Sequence, residues 1–330
     1  MKRLVLFLFL LVSPVSYASD DFQNVFVFGD SLSDAGNLAS LAGPFPNPPF
    51  FNNRVSNGPT AVDVAAAGLG LSTGASLHLI GAAVGTNYAV AGARAAGEQP
   101  IDLPTQVTLF LANQGGVASA DSLYLMLIGG NDIRDARDVP DPAIAEGIIV
   151  GAVTSQLQQL QVLVASGAEK IVVLNVPDIG GIPENAVLSA LFGDDTISRR
   201  ATRLTKAYNK ALKRGVRRLV KASRADIAVF NTFGVFREII EDAEENGFTN
   251  TTDACFSSIS FTFNPGCAFG ANFPQYIFFD EIHPTARVHE MIGQSLLERI
   301  SDQEDDDDED EDDEDNDDDG NRNRGTITVL

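Results

Sequence analysis

Ser31 stands in the stretch FVFGDSLSDAGN, just past Val25–Phe28, an apolar run that reads as a strand. A serine between a strand and a helix projects its hydroxyl from the sheet edge. The N-terminus of the helix would turn free N–H groups toward an anion. His283, one of three histidines, lies in FDEIHPT with Asp280 three residues before it. On a turn entering a helix, that spacing lets a carboxylate accept the imidazole Nδ1–H and leaves the other nitrogen to take a serine proton. Asn131, in IGGND, follows another apolar run and can aim its amide at an oxyanion. Gly92, in NYAVAGA, has no side chain to keep its N–H from a substrate. A nucleophile, a base, a carboxylate that orients the base, and oxyanion donors are what acyl transfer from an ester requires. Read singly, each residue is an ordinary turn or cap residue. His78 reads as a solvent or packing histidine, and His289 as part of one face of the last helix.

The elements that must position these residues alternate. Apolar runs at 25–28, 123–128, 171–174 and 227–230 read as strands buried on both faces. Helix-like stretches lie at roughly 142–166, 196–222 and 233–245, and a last helix follows Pro284, with Val288, Met291, Ile292 and Leu296 at helical spacing. Buried strands alternating with helices imply an α/β fold, a parallel sheet covered on both faces. Active sites of such sheets sit outside the carboxyl ends of the strands, where Ser31 and Asn131 fall. Two long loops, 43–59 and 255–279, are rich in phenylalanine. Those rings either line an acyl pocket or pack as a small satellite core.

The blocks FGDSLSD, NYAVAGA, GGND and DEIHPT, in that order, resemble those of the GDSL lipases and esterases, the SGNH hydrolases. The resemblance spans roughly residues 24–300. It implies a three-layer, flavodoxin-like parallel sheet with helices on both faces. It implies Ser31 as nucleophile, His283 as base, Asp280 as its orienting carboxylate, and Ser31, Gly92 and Asn131 as the oxyanion hole. The activity implied is hydrolysis of acyl-ester or lipid substrates through an acyl-enzyme, with no cofactor. NNRVSNGP at 52–59 is similar to a segment of the longer, secreted lipase-like branch. Esterases for acetylated carbohydrate also belong to the family and stand as the alternative. Competing motifs fail: GDSLS has Ser33 where G-x-S-x-G needs glycine, GLGLSTG does not fit G-x-G-x-x-G, and there is no P-loop and no His/Cys cluster for a metal.

Export is expected. Lys2 and Arg3 precede an apolar run, Leu4–Val12, too short to span a bilayer, and Ser16 and Ala18 follow at the spacing of a cleaved signal peptide over residues 1–18. No later segment reads as a transmembrane anchor. In an exported protein Cys255 and Cys267 have the option of a disulfide. The hydrolase domain is expected over 19–301 and an acidic low-complexity tail over 302–330. Net charge is −22, and residues 302–319 hold 16 acidic side chains and no basic one. Without them 29 acidic residues face 23 basic ones, a net of −6, so no nucleic-acid partner is expected. Asp315, Asp317, Asp319 and Gly320 match the opening of a calcium loop, but Thr326 stands where the bidentate glutamate belongs. The tail therefore reads as a solvated charge run with at most weak calcium binding. A calcium-dependent surface-binding protein with a silent hydrolase body is the alternative from another class.

Overall fold

The computed structural model describes residues 22–302. The expected signal segment, and the tail beyond Asp302, lie outside the described residues. Four strands form the central sheet: β1 (Asn24–Gly29), β2 (Ser122–Leu127), β3 (Lys170–Leu174) and β4 (Asp226–Phe230). They pair in that order, all parallel, with Val27 beside Leu125, Leu125 beside Val172 and Val172 beside Ala228. Every residue of β2 is buried, which is why the run is apolar without alternation. On the free side of β1, residues 86–90 run parallel to it: Tyr88 N–H donates to Val27 O and Val90 N–H to Gly29 O. Counting that segment, the chain order across the sheet is second, first, third, fourth, fifth, the flavodoxin-like order. The switch point lies at the carboxyl ends of β1 and β2.

Nine α-helices lie among the described residues: α1 (Asn37–Ala42), α2 (Ala61–Gly68), α3 (Leu103–Asn113), α4 (Gly130–Asp138), α5 (Pro142–Ala165), α6 (Glu184–Phe192), α7 (Ile197–Ala222), α8 (Thr232–Glu241) and α9 (Ala286–Asp302). α3, α4, α5 and α7 pack on one another in one layer, and α2 and α8 pack on α9 in the other. Right-handed crossovers dictate this split: the chain steps one way from β1 to the segment at 86–90 and the other way from β1 through β4. Local chemistry sets the ends. Asp141 caps α5 by accepting the Ala143 and Ile144 N–H groups, with Pro142 in the first turn. Thr60 and Asp63 form a reciprocal capping box at α2.

The structure departs from the sequence expectations at the membrane-span reading and decides between the two readings of the phenylalanine-rich loops. α5 is long and apolar enough to cross a bilayer by length and composition, although no such segment was expected after the N-terminus. In the fold it buries Ala145, Ile149, Ala152, Val153, Gln156, Leu160 and Leu163 on one face, and Tyr208 O–H donates to Gln156 Oε1 at 2.6 Å. The phenylalanine-rich loops settle as a satellite core. Phe50, Phe256, Phe273, Tyr276 and Phe279 close around the buried Cys255–Cys267 disulfide, with Phe45 and Phe263 packed at its edge. Its frame is two short pairings, β5 (Asn250–Ala254) with β8 (Tyr276–Phe278) and β6 (Phe256–Ser257) with β7 (Thr262–Phe263).

Candidate active site

Ser31 sits on a tight turn at the carboxyl end of β1. Asp30 O accepts the Ser33 and Asp34 N–H groups at 3.1 and 3.0 Å, and Asp30 Oδ1 accepts Leu32 N–H at 3.1 Å. The sequence suggests a helix N-terminus near Ser31 with its N–H groups toward an anion; α1 begins only at Asn37. The cause is Asp34, whose carboxylate takes the Gly36, Asn37 and Leu38 N–H groups and delays the helix. Ser31 N–H itself has no partner among the described residues. The free donor at this position is thus a turn N–H, not a helix end.

His283 lies on the turn after β8. Asp280 Oδ1 accepts both the Ile282 and His283 N–H groups, at 2.9 and 2.7 Å, which folds the carboxylate back under the imidazole. His283 Nδ1 stands 2.8 and 2.9 Å from the two Asp280 oxygens, and Nε2 stands 2.8 Å from Ser31 Oγ. The three residues expected from the sequence are therefore one hydrogen-bonded chain. Burial alone would raise the Asp280 carboxyl, but attraction to His283 and the His283 and Ile282 hydrogen bonds outweigh it and hold it below its ordinary value. Asp280 is thus an anion facing Nδ1, which fixes the tautomer with Nε2 open toward serine.

The segment at 52–59 holds this turn from the other side. Ser56 O–H donates to Pro284 O at 3.0 Å, and Asn57 Oδ1 accepts Ala286 N–H at 2.9 Å, capping α9 directly after the histidine. Gly58 is required there: a side chain would bring its first carbon within 2.4 Å of the Ala286 Cβ.

Gly92 occupies a left-handed conformation, φ 87°, that favours glycine. Its neighbours are all tethered. Ala91 N–H donates to Asp34, Ala93 O accepts the Asn131 amide at 2.9 Å, Arg94 N–H donates to Asp102, and Ala95 and Ala96 N–H donate to Asp132. The Gly92 N–H is left without a partner among the described residues. Asn131 is held at both ends, since Arg134 Nη1 donates to its Oδ1 at 3.1 Å. One of its two amide hydrogens remains uncommitted. Arg134 is in turn paired with Glu184. Asp34, Asn57, Asp132, Arg134 and Glu184 were not singled out from the sequence. Asp34, Asp132 and Asn57 stand inside the quoted segments FGDSLSD, GGND and NNRVSNGP, and Arg134 stands three residues after Asn131 on one helix face.

Ser31, His283 and Asn131 line one cleft. Its walls are mainly apolar: Leu32, Leu127, Ile179, Ile182, Phe236, Phe278, Ile282 and Ile292. Of the phenylalanines in the two long loops, Phe278 alone contributes to this lining. Burial pushes Asp30, beside the serine, up to about 6, with the Leu32 N–H opposing. Burial likewise pushes Asp132 up to about 6 against the pull of the Ala95 and Ala96 N–H groups. His289, buried on α9, is pushed down to about 4 by burial, and its Nδ1 accepts Ala61 N–H at 3.2 Å. His78 is likewise buried, with Nδ1 2.5 Å from Ser76 Oγ. Among the described residues no group of three or more His, Cys, Asp or Glu is placed to hold a metal ion.

Fold and site together define a class: a three-layer α/β protein with a Ser–His–Asp hydrogen-bond chain at the carboxyl edge of its parallel sheet. Residues 25–296 match the sequence profile described as GDSL-like Lipase/Acylhydrolase, and the chain belongs to that family of carboxylic ester hydrolases. A GDSL esterase/lipase of Arabidopsis thaliana is 26% identical over 83% of this chain and 86% of its own. The phosphatidylcholine-sterol acyltransferase of Aeromonas hydrophila is 26% identical over 80% of this chain and 75% of its own. The crystal structure of Est24, a carbohydrate acetylesterase from Sinorhizobium meliloti, aligns with 84% of this chain and 98% of its own at 13% identity and a TM-score of 0.47.

Proposed function

We propose that this ester hydrolase works through Ser31, His283 and Asp280 on substrates with extended acyl chains, as an exported enzyme. The observation that carries the mechanism is the Ser31 Oγ–His283 Nε2 contact of 2.8 Å backed by Asp280 at Nδ1. His283 takes the Ser31 proton as Oγ attacks the ester carbonyl, and Asp280 stabilises the imidazolium. The N–H groups of Ser31 and Gly92 and the spare amide hydrogen of Asn131 receive the oxyanion. His283 returns the proton to the leaving alcohol. Water, deprotonated by His283, then releases the acid from the acyl-enzyme. The apolar walls of the cleft support an acyl chain longer than acetyl.

A serine-reactive fluorophosphonate tests the mechanism: it should label the protein at Ser31, and the Ser31→Ala variant should stay unlabelled. Labelling elsewhere, or none, refutes it and leaves the silent-body reading. An aryl-ester series from acetyl to long acyl chains, run beside phospholipid, triacylglycerol and acetylated sugar, tests the substrate. A preference for acetyl groups would favour the carbohydrate esterase. The basic and apolar opening of the chain supports export, and N-terminal sequencing of material from the culture medium should find a start just after Ala18.

A further inference from the structure

α7 concentrates one sign of charge to a degree the whole-chain average conceals. Its 26 residues carry ten of the chain's 23 basic side chains and no acidic one. Arg203, Lys206, Lys210, Lys213, Arg217 and Lys221 are all exposed and recur every three or four residues, so they form one stripe along the helix. Arg199 and Arg200 pair with Asp195 and Asp194 at the start of the helix; the six of the stripe have no acidic partner among the described residues. Like charges three and four apart repel, which disfavours a bare helix of this kind. A groove beside α7 is lined by Lys206, Lys210, Lys213 and Arg217 together with Asn175 and Asn231, cations and amides that suit extended carboxylates.

We propose that the acidic segment at 303–319 docks along this stripe of the same molecule. Charge is complementary: the segment is almost wholly Asp and Glu. Connectivity also favours it. α7 and α9 both run back from the carboxyl edge of the sheet, so Lys221 and Asp302 emerge at the same, amino, edge in opposite helix layers. The separation of those layers is on the order of 20 Å. Seventeen residues span up to about 55–60 Å when extended, enough to cross that edge and run along much of α7. Attachment to the same chain gives the segment a standing advantage in local concentration over a free polyanion. The docked segment would shield a face that otherwise suits an anionic lipid surface or nucleic acid.

Zero-length carbodiimide cross-linking of the full chain tests this. At about 10 mM salt, where the Debye length is about 30 Å, peptides joining Lys206, Lys210 or Lys213 to residues 303–319 should appear within monomers. The Lys170–Asp226 pair, 3.3 Å apart, is the built-in positive control. At 1 M salt, with a Debye length of about 3 Å, their yield should fall at least tenfold. A positive control without α7–tail peptides, or tail links found only between two molecules, overturns the proposal. So does cross-linking unchanged by salt. Vesicles of phosphatidylglycerol and phosphatidylcholine, and separately a DNA duplex, decide the occupant. Either one binding the full chain at low salt and abolishing the tail links would make that partner the natural occupant. Neither doing so at micromolar concentration supports the tail.

Discussion

At the scale of single residues, Ser31, His283 and Asp280 form one hydrogen-bonded chain, while the Ser31 and Gly92 N–H groups have no partner among the described residues. Ser31→Ala should lower ester turnover by at least about 10³-fold with the fold unchanged, because a lost nucleophile leaves only binding and oxyanion stabilisation. Turnover and circular dichroism of the purified variant check both halves. Asn131→Ala should lower kcat by about 10²–10³, the usual loss for one oxyanion donor, with little change in KM. A change confined to KM would make Asn131 a substrate-binding residue. Protonation offers a separate test at His289. Its folded pKa of about 4 lies below its ordinary 6.5, so between those values the unfolded chain binds a proton that the folded chain does not. Its contribution is complete above about 6.5 and is lost as pH falls toward 4. Asp30 and Asp132, raised to about 6, act in the opposite sense: their contribution is present below about 4 and is lost as pH rises through 6. His289→Gln removes the first effect and keeps the second. Urea unfolding from pH 6.5 to 4.5 should therefore show less acid destabilisation in the variant than in the parent. The slopes should differ by up to about 1.4 kcal/mol per pH unit.

At the scale of elements, the satellite core and its disulfide adjoin the turn that carries Asp280 and His283. Phe279, buried in that core, immediately precedes Asp280. A bridge with a sequence separation of 12 is worth about 3 kcal/mol in the chain-entropy account. The Cys255→Ser/Cys267→Ser variant should melt roughly 6–12 °C lower. A reducing agent should lower the parent's melting temperature and leave the variant's unchanged; equal melting would remove the bridge from the stability argument. The difference between what was and was not legible in the sequence is physical. Strands buried on both faces announce themselves as unbroken apolar runs, as at Leu123–Leu127, and the ends of two such runs put Ser31 and Asn131 on one sheet edge; the meeting with His283 is visible only in the fold. The short helices α4 and α6 are absent from the sequence expectations, since nine residues hold too few turns to set a pattern apart. The tethers Asp34–Ala91 and Asp132–Ala95 join a side chain to a backbone N–H tens of residues away, and no spacing rule marks such a pair. The phenylalanine clusters admitted a pocket or a core, since composition alone does not tell which way a ring points.

At the scale of the whole molecule, charge is divided between an almost balanced body and an acidic end. Deleting residues 302–330 should leave esterase rate and melting temperature nearly unchanged near physiological salt. The segment has few apolar side chains, so its removal takes little buried surface from the fold. The site residues all precede it, and Ile300, buried on α9, stays in place. Attraction between the segment and α7 acts at the protein surface, where salt screens it over about 8 Å. Its loss should therefore be visible at low salt and faint at physiological strength. Calcium sharpens the test. Millimolar calcium would neutralise carboxylates of the full chain and weaken their hold on α7, while the truncated chain has no such segment to respond. Melting temperature and esterase rate, measured for both chains with and without calcium at two salt concentrations, separate the cases. A large loss on truncation in calcium-free buffer at physiological salt would mean that the segment is part of the folded body. A loss confined to calcium-containing buffer would mean that metal binding is the work of the segment.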